Sequence, residues 1–190
     1  PAPHLGVVGG GGWGSQIAQQ AALHGVDVRL HDVSADQLEK AVEQNRQLLE
    51  RRVEKARLSR PDAEAAVARV RTTTDLEEAA GAADIVIEAI VEKLEPKREV
   101  FARLDRICPQ RTILASNSST MPISQLASAT GRAARCCNLH FVFPVLVMAP
   151  CEVARGPRTP EEADPFAMGF VPVLAGVPAR PTNDTDGLTR

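Results

Sequence analysis

Gly9-Gly10-Gly11-Gly12-Trp13-Gly14 leaves the chain few folds to choose from, because of what flanks it. Leu5-Gly6-Val7-Val8 before it reads as a short buried strand. After it, residues 15–24 carry Ile17, Ala18, Ala21 and Ala22 at helical spacing. A second apolar strand over residues 26–30 leads to His31-Asp32. In such a strand–turn–helix–strand unit, Gly9 permits the tight turn. Gly11 lets a pyrophosphate approach the backbone, and Gly14 lets the helix pack close on the strand. Gly12 and Trp13 complete the cofactor-binding turn. The helix N-terminus presents N–H groups and a partial positive charge to the phosphates. Asp32 follows Gly9 by 23 residues, close to where an acid accepts hydrogen bonds from a ribose 2′-OH. A carboxylate there repels a 2′-phosphate, so the pattern reads as NAD rather than NADP.

Bulk properties narrow the classes. A chain of 190 residues with 44% hydrophobic content is one large domain or one and a half, with a real core. A formal net charge of −2 makes no electrostatic case for nucleic acid or an anionic membrane. Aromatics at 3% and the lack of Tyr argue against base-stacking platforms. No apolar run approaches the roughly 20 residues of a membrane span. No signal peptide is visible, and a start at Pro1 rather than Met reads as trimmed. Cys108, Cys136, Cys137 and Cys151 form no C-x-x-C pair. Cys136 and Cys137 are adjacent and should point to opposite faces of a strand. The expectation is reduced, mostly buried thiols in a cytoplasmic protein, with no metal site.

Strands alternating with helices predict a Rossmann-type, doubly wound, mostly parallel α/β sheet. Ser34 reads as an N-cap, with Gln37 completing a capping box. The helix that follows runs to about residue 57, with Leu38, Val42, Leu49 and Val53 on its apolar stripe. Pro61 opens a second helix to about residue 69, so a helical pair is inserted between strands. Its outer face carries Arg46, Arg51, Arg52, Lys55 and Arg57, either as a solvated face or as a contact for a phosphorylated substrate. Further strands are expected over 70–73, 83–89, 112–115, 135–140, 148–153 and 177–181. Helices are expected from Asp75, from Pro96 to about 107, from Pro122, and in part over 158–174. Ser116-Asn117-Ser118-Ser119-Thr120 lies at a strand's C-terminal end, where open parallel sheets bind ligands.

Hydride transfer also needs a group that moves a hydroxyl proton. The histidines are His4, His24, His31 and His140. His140 ends an apolar strand, and Glu152 follows on the next. A carboxylate at the far ring nitrogen fixes a histidine's tautomer and stabilises its imidazolium. The same spacing also suits a plain structural hydrogen bond.

Several spaced stretches then resemble the NAD-binding domain of the L-3-hydroxyacyl-CoA dehydrogenases. They are Gly9-Gly10-Gly11-Gly12-Trp13-Gly14-Ser15-Gln16-Ile17-Ala18, Asp32-Val33-Ser34, Ile87-Glu88-Ala89-Ile90-Val91-Glu92, Ala115-Ser116-Asn117-Ser118-Ser119, Leu139-His140-Phe141 and Glu152-Val153. Leu48-Leu49-Glu50-Arg51-Arg52-Val53-Glu54-Lys55 is similar to that family's long inserted helix. The resemblance implies NAD-dependent oxidation of L-3-hydroxyacyl-CoA to 3-oxoacyl-CoA. It makes His140 the general base, Glu152 its orienting acid, and Ser119 a hydrogen-bond partner of the reacting oxygen that also touches the cofactor. Asn117 would help position the thioester. Glu92 and Lys97 match positions that contact NAD on its nicotinamide-ribose side, and Lys55 matches a lysine that meets CoA. The partner implied is an acyl-CoA or other acyl thioester, and a homodimer is the assembly it allows.

The chain departs from that pattern in places. The family's His-Phe-Phe-Asn-Pro is His140-Phe141-Val142-Phe143-Pro144, so Phe143 replaces an Asn of the site. Trp13 replaces the usual Met of the glycine turn, and Thr120 replaces a serine. Residues 1–183 are expected to form the NAD(P)-binding domain. Residues 184–190, with Asp184-Thr185-Asp186-Gly187-Leu188, resemble a truncated hinge to the family's helical C-terminal domain, here missing. The chain is then either a fragment of a longer enzyme or a one-domain relative. A related dehydrogenase acting on a carrier-bound or short hydroxyacyl group, and a non-catalytic NAD-binding module, are the rival readings.

Overall fold

The computed structural model describes residues 3–142, 145, 151–155, 169, 171–172 and 179–183. The chain begins β1 (His4–Val8), α1 (Gly12–Leu23), β2 (Asp27–His31), α2 (Ala35–Glu54), α3 (Arg60–Arg69), β3 (Val70–Thr73) and α4 (Leu76–Ala80). It continues β4 (Ile85–Glu88), α5 (Leu94–Ile107), β5 (Ile113–Ser116), α6 (Ile123–Ala127), β6 (Cys136–Phe141), β7 (Cys151–Arg155) and β8 (Ala179–Asn183). The strands form one sheet in the order β3-β2-β1-β4-β5-β6-β7-β8. From β3 to β6 every pairing is parallel; β7 runs antiparallel to β6, and β8 parallel to β7. The chain winds outward from β1 to β3, then returns to β4 and winds the other way. The β1–β4 boundary is therefore the topological switch point, where such sheets bind ligands.

Each face of the sheet has its own core. One packs Ile17, Ala18 and Ala21 of α1, Leu38 and Ala41 of α2 and Ala66 of α3 against Val7, Val28 and Ile87. The other packs Leu76 of α4, Phe101 and Leu104 of α5 and Leu126 of α6 against Val8, Val86 and Leu114. Cys137 belongs to the first core and its neighbour Cys136 to the second, as strand alternation requires. Burial pushes the Cys108 and Cys136 thiols up to about 11.

The inserted helical pair forms as its caps dictate. Ser34 Oγ accepts from the Gln37 amide, and Ser59 Oγ from the Asp62 amide, with Pro61 in the first turn of α3. The expected capping box is not reciprocal. Gln37 sends its side-chain amide to the Gly10 carbonyl at 3.0 Å, and the Ser34 amide is taken by Asp32 Oδ1 at 2.9 Å. The buried stripe of α2 is Leu38, Ala41, Asn45 and Leu49, not the expected line through Val42 and Val53. Both valines are only half-buried. Asn45 is in the stripe because its amide donates to the Ser15 carbonyl at 2.7 Å, tying α2 to α1. The helix stops at Glu54, three residues short of expectation, where Ala56 takes a left-handed φ of 53°.

Two starts move earlier. α1 begins at Gly12 rather than residue 15, and α5 at Leu94 rather than Pro96, which fits within the first turn. The last strand lies two residues later than expected. Of the helix expected over 158–174, positions 169 and 171–172 are helical and the remainder lies outside the described residues. The hinge over 184–190 also lies outside them.

Arg132 locks the second core's rim. It donates to the carbonyls of Asp105, Cys108, Pro109 and Thr112 at 2.9, 3.1, 2.6 and 3.2 Å, and to Asp105 Oδ1 at 2.6 Å. One guanidinium thus satisfies the end of α5, the loop after it and the entry to β5.

Candidate active site

The glycine turn lies at the switch point. Gly9 has φ of +116°, and a Cβ there would sit 2.6 Å from the Ala89 carbonyl oxygen, so β1 and β4 leave no room for a side chain. A Cβ on Gly14 would lie 1.8 Å from the Gly9 carbonyl oxygen, which is how closely α1 crosses the turn. Gly11 has no neighbour within 4 Å of such a Cβ. Its face is open toward the crevice. The first intrahelical bond runs from the Ser15 amide to the Gly11 carbonyl at 3.0 Å, so the Gly12 and Gly14 amides have no acceptor inside the helix. Asp32 Oδ2 accepts the Gly10 amide at 2.8 Å, which holds the half-buried carboxylate beside the turn. A turn packed too tightly for side chains at Gly9 and Gly14, with an open face at Gly11, amides at a helix start and an acid at its rim, fits a dinucleotide.

A cavity of about 210 Å³ adjoins the turn. Trp13 of α1, Glu92 and Lys97 after β4, Asn117 and Ser119 after β5, and His140 of β6 line it, with Ala89 and Ile90 between. Six expected site residues from four segments therefore meet in one place. Asn117 is buried and its Oδ1 accepts the Phe141 amide at 3.1 Å, pinning the end of β6. Among the described residues, no protein group bonds the Ser119 hydroxyl. Ser118 instead donates to Glu92 Oε1, as does Thr120 Oγ1 at 2.9 Å.

Lys97, an expected site residue on the cavity wall, is paired with Glu88, which sequence reasoning missed as site machinery. Lys97 Nζ lies 2.5 Å from Glu88 Oε1, and the two side chains are 1% and 0% exposed. Glu88 Oε1 also accepts the Ile90 amide at 2.9 Å, and Oε2 accepts Ser116 Oγ at 2.7 Å. Lys97 reaches Glu92 Oε2 at 3.3 Å. Burial alone would raise the Glu92 carboxyl, but hydrogen bonds from Ser118 and Thr120 and the Lys97 cation hold it below the ordinary carboxylate value. The signal was present in the sequence: Glu88 closes an otherwise apolar strand buried on every residue.

The four histidines separate clearly. His4 is exposed, and His24 caps α1 through the Gln20 carbonyl at 2.9 Å. His31 is buried beside Asp32, and burial lowers its pKa. His140 is the one on the cavity, 8% exposed, with its ring centroid 6.2 Å from that of Trp13. In the register of β6 and β7 it stands directly opposite Glu152. Lys55 is exposed at the end of α2 and forms no part of the cavity wall. Phe143 and Pro144 lie outside the described residues. Among the described residues, no cluster of His, Cys, Asp and Glu could hold a metal ion, and no helix is long and apolar enough to cross a membrane.

Sheet, turn and cavity define a dinucleotide-binding α/β domain with an imidazole at the adjoining pocket. The chain belongs to the family of the 3-hydroxyacyl-CoA dehydrogenase NAD-binding domain, whose model matches residues 4–178. The cofactor of that family is NAD. The chain is 41% identical over 181 residues to the probable 3-hydroxybutyryl-CoA dehydrogenase of Bacillus subtilis, covering 95% of this chain and 62% of that protein. It is 36% identical over 189 residues to the mitochondrial hydroxyacyl-coenzyme A dehydrogenase of Homo sapiens, covering 97% and 60%. The structure is similar to that of (S)-3-hydroxybutyryl-CoA dehydrogenase from Ralstonia eutropha, with a TM-score of 0.93 and 32% identity, over 98% of this chain and 65% of that one. The chain thus spans less than two thirds of each of these relatives.

Proposed function

We propose that this domain serves the NAD-dependent oxidation of an L-3-hydroxyacyl-CoA to the 3-oxoacyl-CoA. The observation that carries this reading is the shared cavity. His140 and Ser119 line the same space as Trp13, which belongs to the glycine turn, so a base and a hydroxyl donor adjoin the cofactor cradle. When bound, NAD supplies the hydride acceptor. Gly11, Gly12 and Gly14 would hold its pyrophosphate and Asp32 its adenine ribose, with Glu92 and Lys97 on the nicotinamide side. His140 takes the 3-hydroxyl proton. Ser119 donates to the reacting oxygen. Glu152, opposite His140 in register, orients the imidazole and stabilises its charged form. Asn117 fixes the end of β6 and so the place of His140. Lys55, exposed with Arg51 and Arg57 on the inserted pair, offers cations to the CoA phosphates.

Residues 1–183 are the cofactor domain in this reading, and 184–190 a hinge segment. A place in fatty acid metabolism and a cytoplasmic setting belong to the same proposal. The setting is supported by the buried thiols of Cys108 and Cys136, whose raised pKa suits structural, reduced cysteines. The test is NADH oxidation with acetoacetyl-CoA, run beside a His140→Ala variant. Turnover that falls by about 10²–10⁴-fold in the variant is expected. Turnover unaffected by the variant, or none in the wild type, overturns the proposal.

A further inference from the structure

Trp13 is the second residue of α1, in the glycine turn, and is 38% exposed. Its ring centroid lies 6.2 Å from that of His140, with the planes tilted by 37°. The two residues come from opposite sides of the switch point, α1 and β6, and the cavity lies where they meet. An aromatic face near this distance attracts a cation through its quadrupole, and indole does so most strongly among the aromatic side chains. Accepting a proton turns His140 into such a cation.

We propose that Trp13 is a positioning residue for His140, seating the imidazole at the cavity and stabilising its protonated form. The proposal rests on the reading of His140 as the base. Other charged residues near the imidazole set the background against which Trp13 acts. Glu92 and Lys97 line the cavity with it, and Glu152 stands opposite it in register on β7. The Asn117 and Ser119 side chains from the loop after β5 do not titrate, and α1 carries no charged residue. Trp13, through its ring, favours the imidazolium without adding a charge to the cavity.

The chain carries its own reporter for this contact. Trp13 is its single tryptophan and there is no tyrosine, so indole emission comes from this one site. An adjacent imidazolium quenches indole fluorescence. On acidification through the histidine range, emission of the wild-type chain should fall, and His140→Gln should abolish that step. Proton NMR of the four histidines, with His140 assigned by the same variant, reads the second consequence. Trp13→Met should move the His140 titration midpoint to lower pH by about half a unit. Trp13→Phe should restore most of it, which a merely space-filling role would not require of an aromatic ring. A fluorescence step that persists in His140→Gln, or an unchanged His140 midpoint in Trp13→Met, overturns the proposal. Neither measurement uses substrate or cofactor. Loss of the dehydrogenase reading in the turnover assay would therefore be seen separately from loss of the ring contact.

Discussion

Lys97 Nζ sits 2.5 Å from Glu88 Oε1 inside the protein and 3.3 Å from Glu92 Oε2 at the cavity wall. The lysine is thus a bridge between a fully buried carboxylate and a half-exposed one. Two charges shut off from water are held only because every acceptor is used, by Lys97, the Ile90 amide and Ser116. Removing Lys97 strands Glu88, and removing Glu88 leaves the buried Lys97 with only the half-exposed Glu92. Glu88→Gln should lower stability by about 3–5 kcal/mol in urea unfolding. The double variant Glu88→Gln with Lys97→Met should lose clearly less than the two single losses added together, since no buried charge is then left alone. Additive losses would show that the pair is not coupled.

The turn makes a sharper contrast. A Cβ at Gly14 meets the Gly9 carbonyl oxygen at 1.8 Å, whereas one at Gly11 meets nothing within 4 Å. Gly14→Ala must push α1 off the turn, so it should destabilise by about 1–3 kcal/mol or more and abolish NADH binding. Gly11→Ala should keep stability within about 1 kcal/mol of wild type. It should still weaken NADH binding by tenfold or more, because the new methyl fills the face where a pyrophosphate would lie. Thermal unfolding with and without NADH measures both. If Gly11→Ala binds NADH as the wild type does, the open face is not the phosphate site.

Asp32 takes the Gly10 amide at 2.8 Å and the Ser34 amide at 2.9 Å. It therefore shapes the turn as well as offering a lone pair at its rim. Asp32→Ala should cost about 1–3 kcal/mol, the loss expected when amides that bond a charged acceptor lose it. NADH affinity should fall further than stability alone explains. Tryptophan-to-NADH energy transfer from Trp13 gives the affinity in one titration. Equal affinity in wild type and variant would remove Asp32 from the cofactor site.

Most of the frame could be read from residue order. The glycine turn, the apolar strands, the caps Ser34 and Asp75 and the helix-starting Pro61 are local features, and local chemistry decides them. The expected site residues from Trp13 to His140 meet because each lies at the C-terminal end of a parallel strand or just beyond it, which topology alone brings together. What escaped was decided by partners distant in sequence. Asn45 is buried because Ser15 accepts from it, so the apolar stripe of α2 could not be found from hydrophobic spacing. Gln37 looked like a box partner for Ser34, but the Gly10 carbonyl competed for it successfully. Glu88 was visible as an acid in an apolar strand. Its role depends on Lys97, one turn into α5, and on Ser116, 28 residues away. Likewise the cluster of backbone carbonyls around Arg132 leaves no pattern in the sequence at all.

That cluster gives the pH prediction. Burial would raise the Asp105 carboxyl, but the Gly131 amide at 2.8 Å and the Arg132 guanidinium hold it below its ordinary value of 3.8. A carboxyl depressed in the folded state binds its proton more readily in the unfolded chain. Its contribution is fully present above the ordinary value and is lost as pH falls through the depressed one. Stability should therefore decline as pH falls from neutral through that ordinary value, and Asp105→Asn should flatten part of that decline while lowering stability at neutral pH. Arg132→Leu should behave differently. It takes a donor from four carbonyls, of which that of Pro109 still accepts the Thr112 amide at 3.0 Å, so a loss of about 3–5 kcal/mol at neutral pH should be only partly relieved in acid, where Asp105 is protonated. Urea midpoints for the three chains across this range separate the two effects. An Asp105→Asn curve parallel to that of the wild type would mean that this carboxylate does not carry the acid sensitivity.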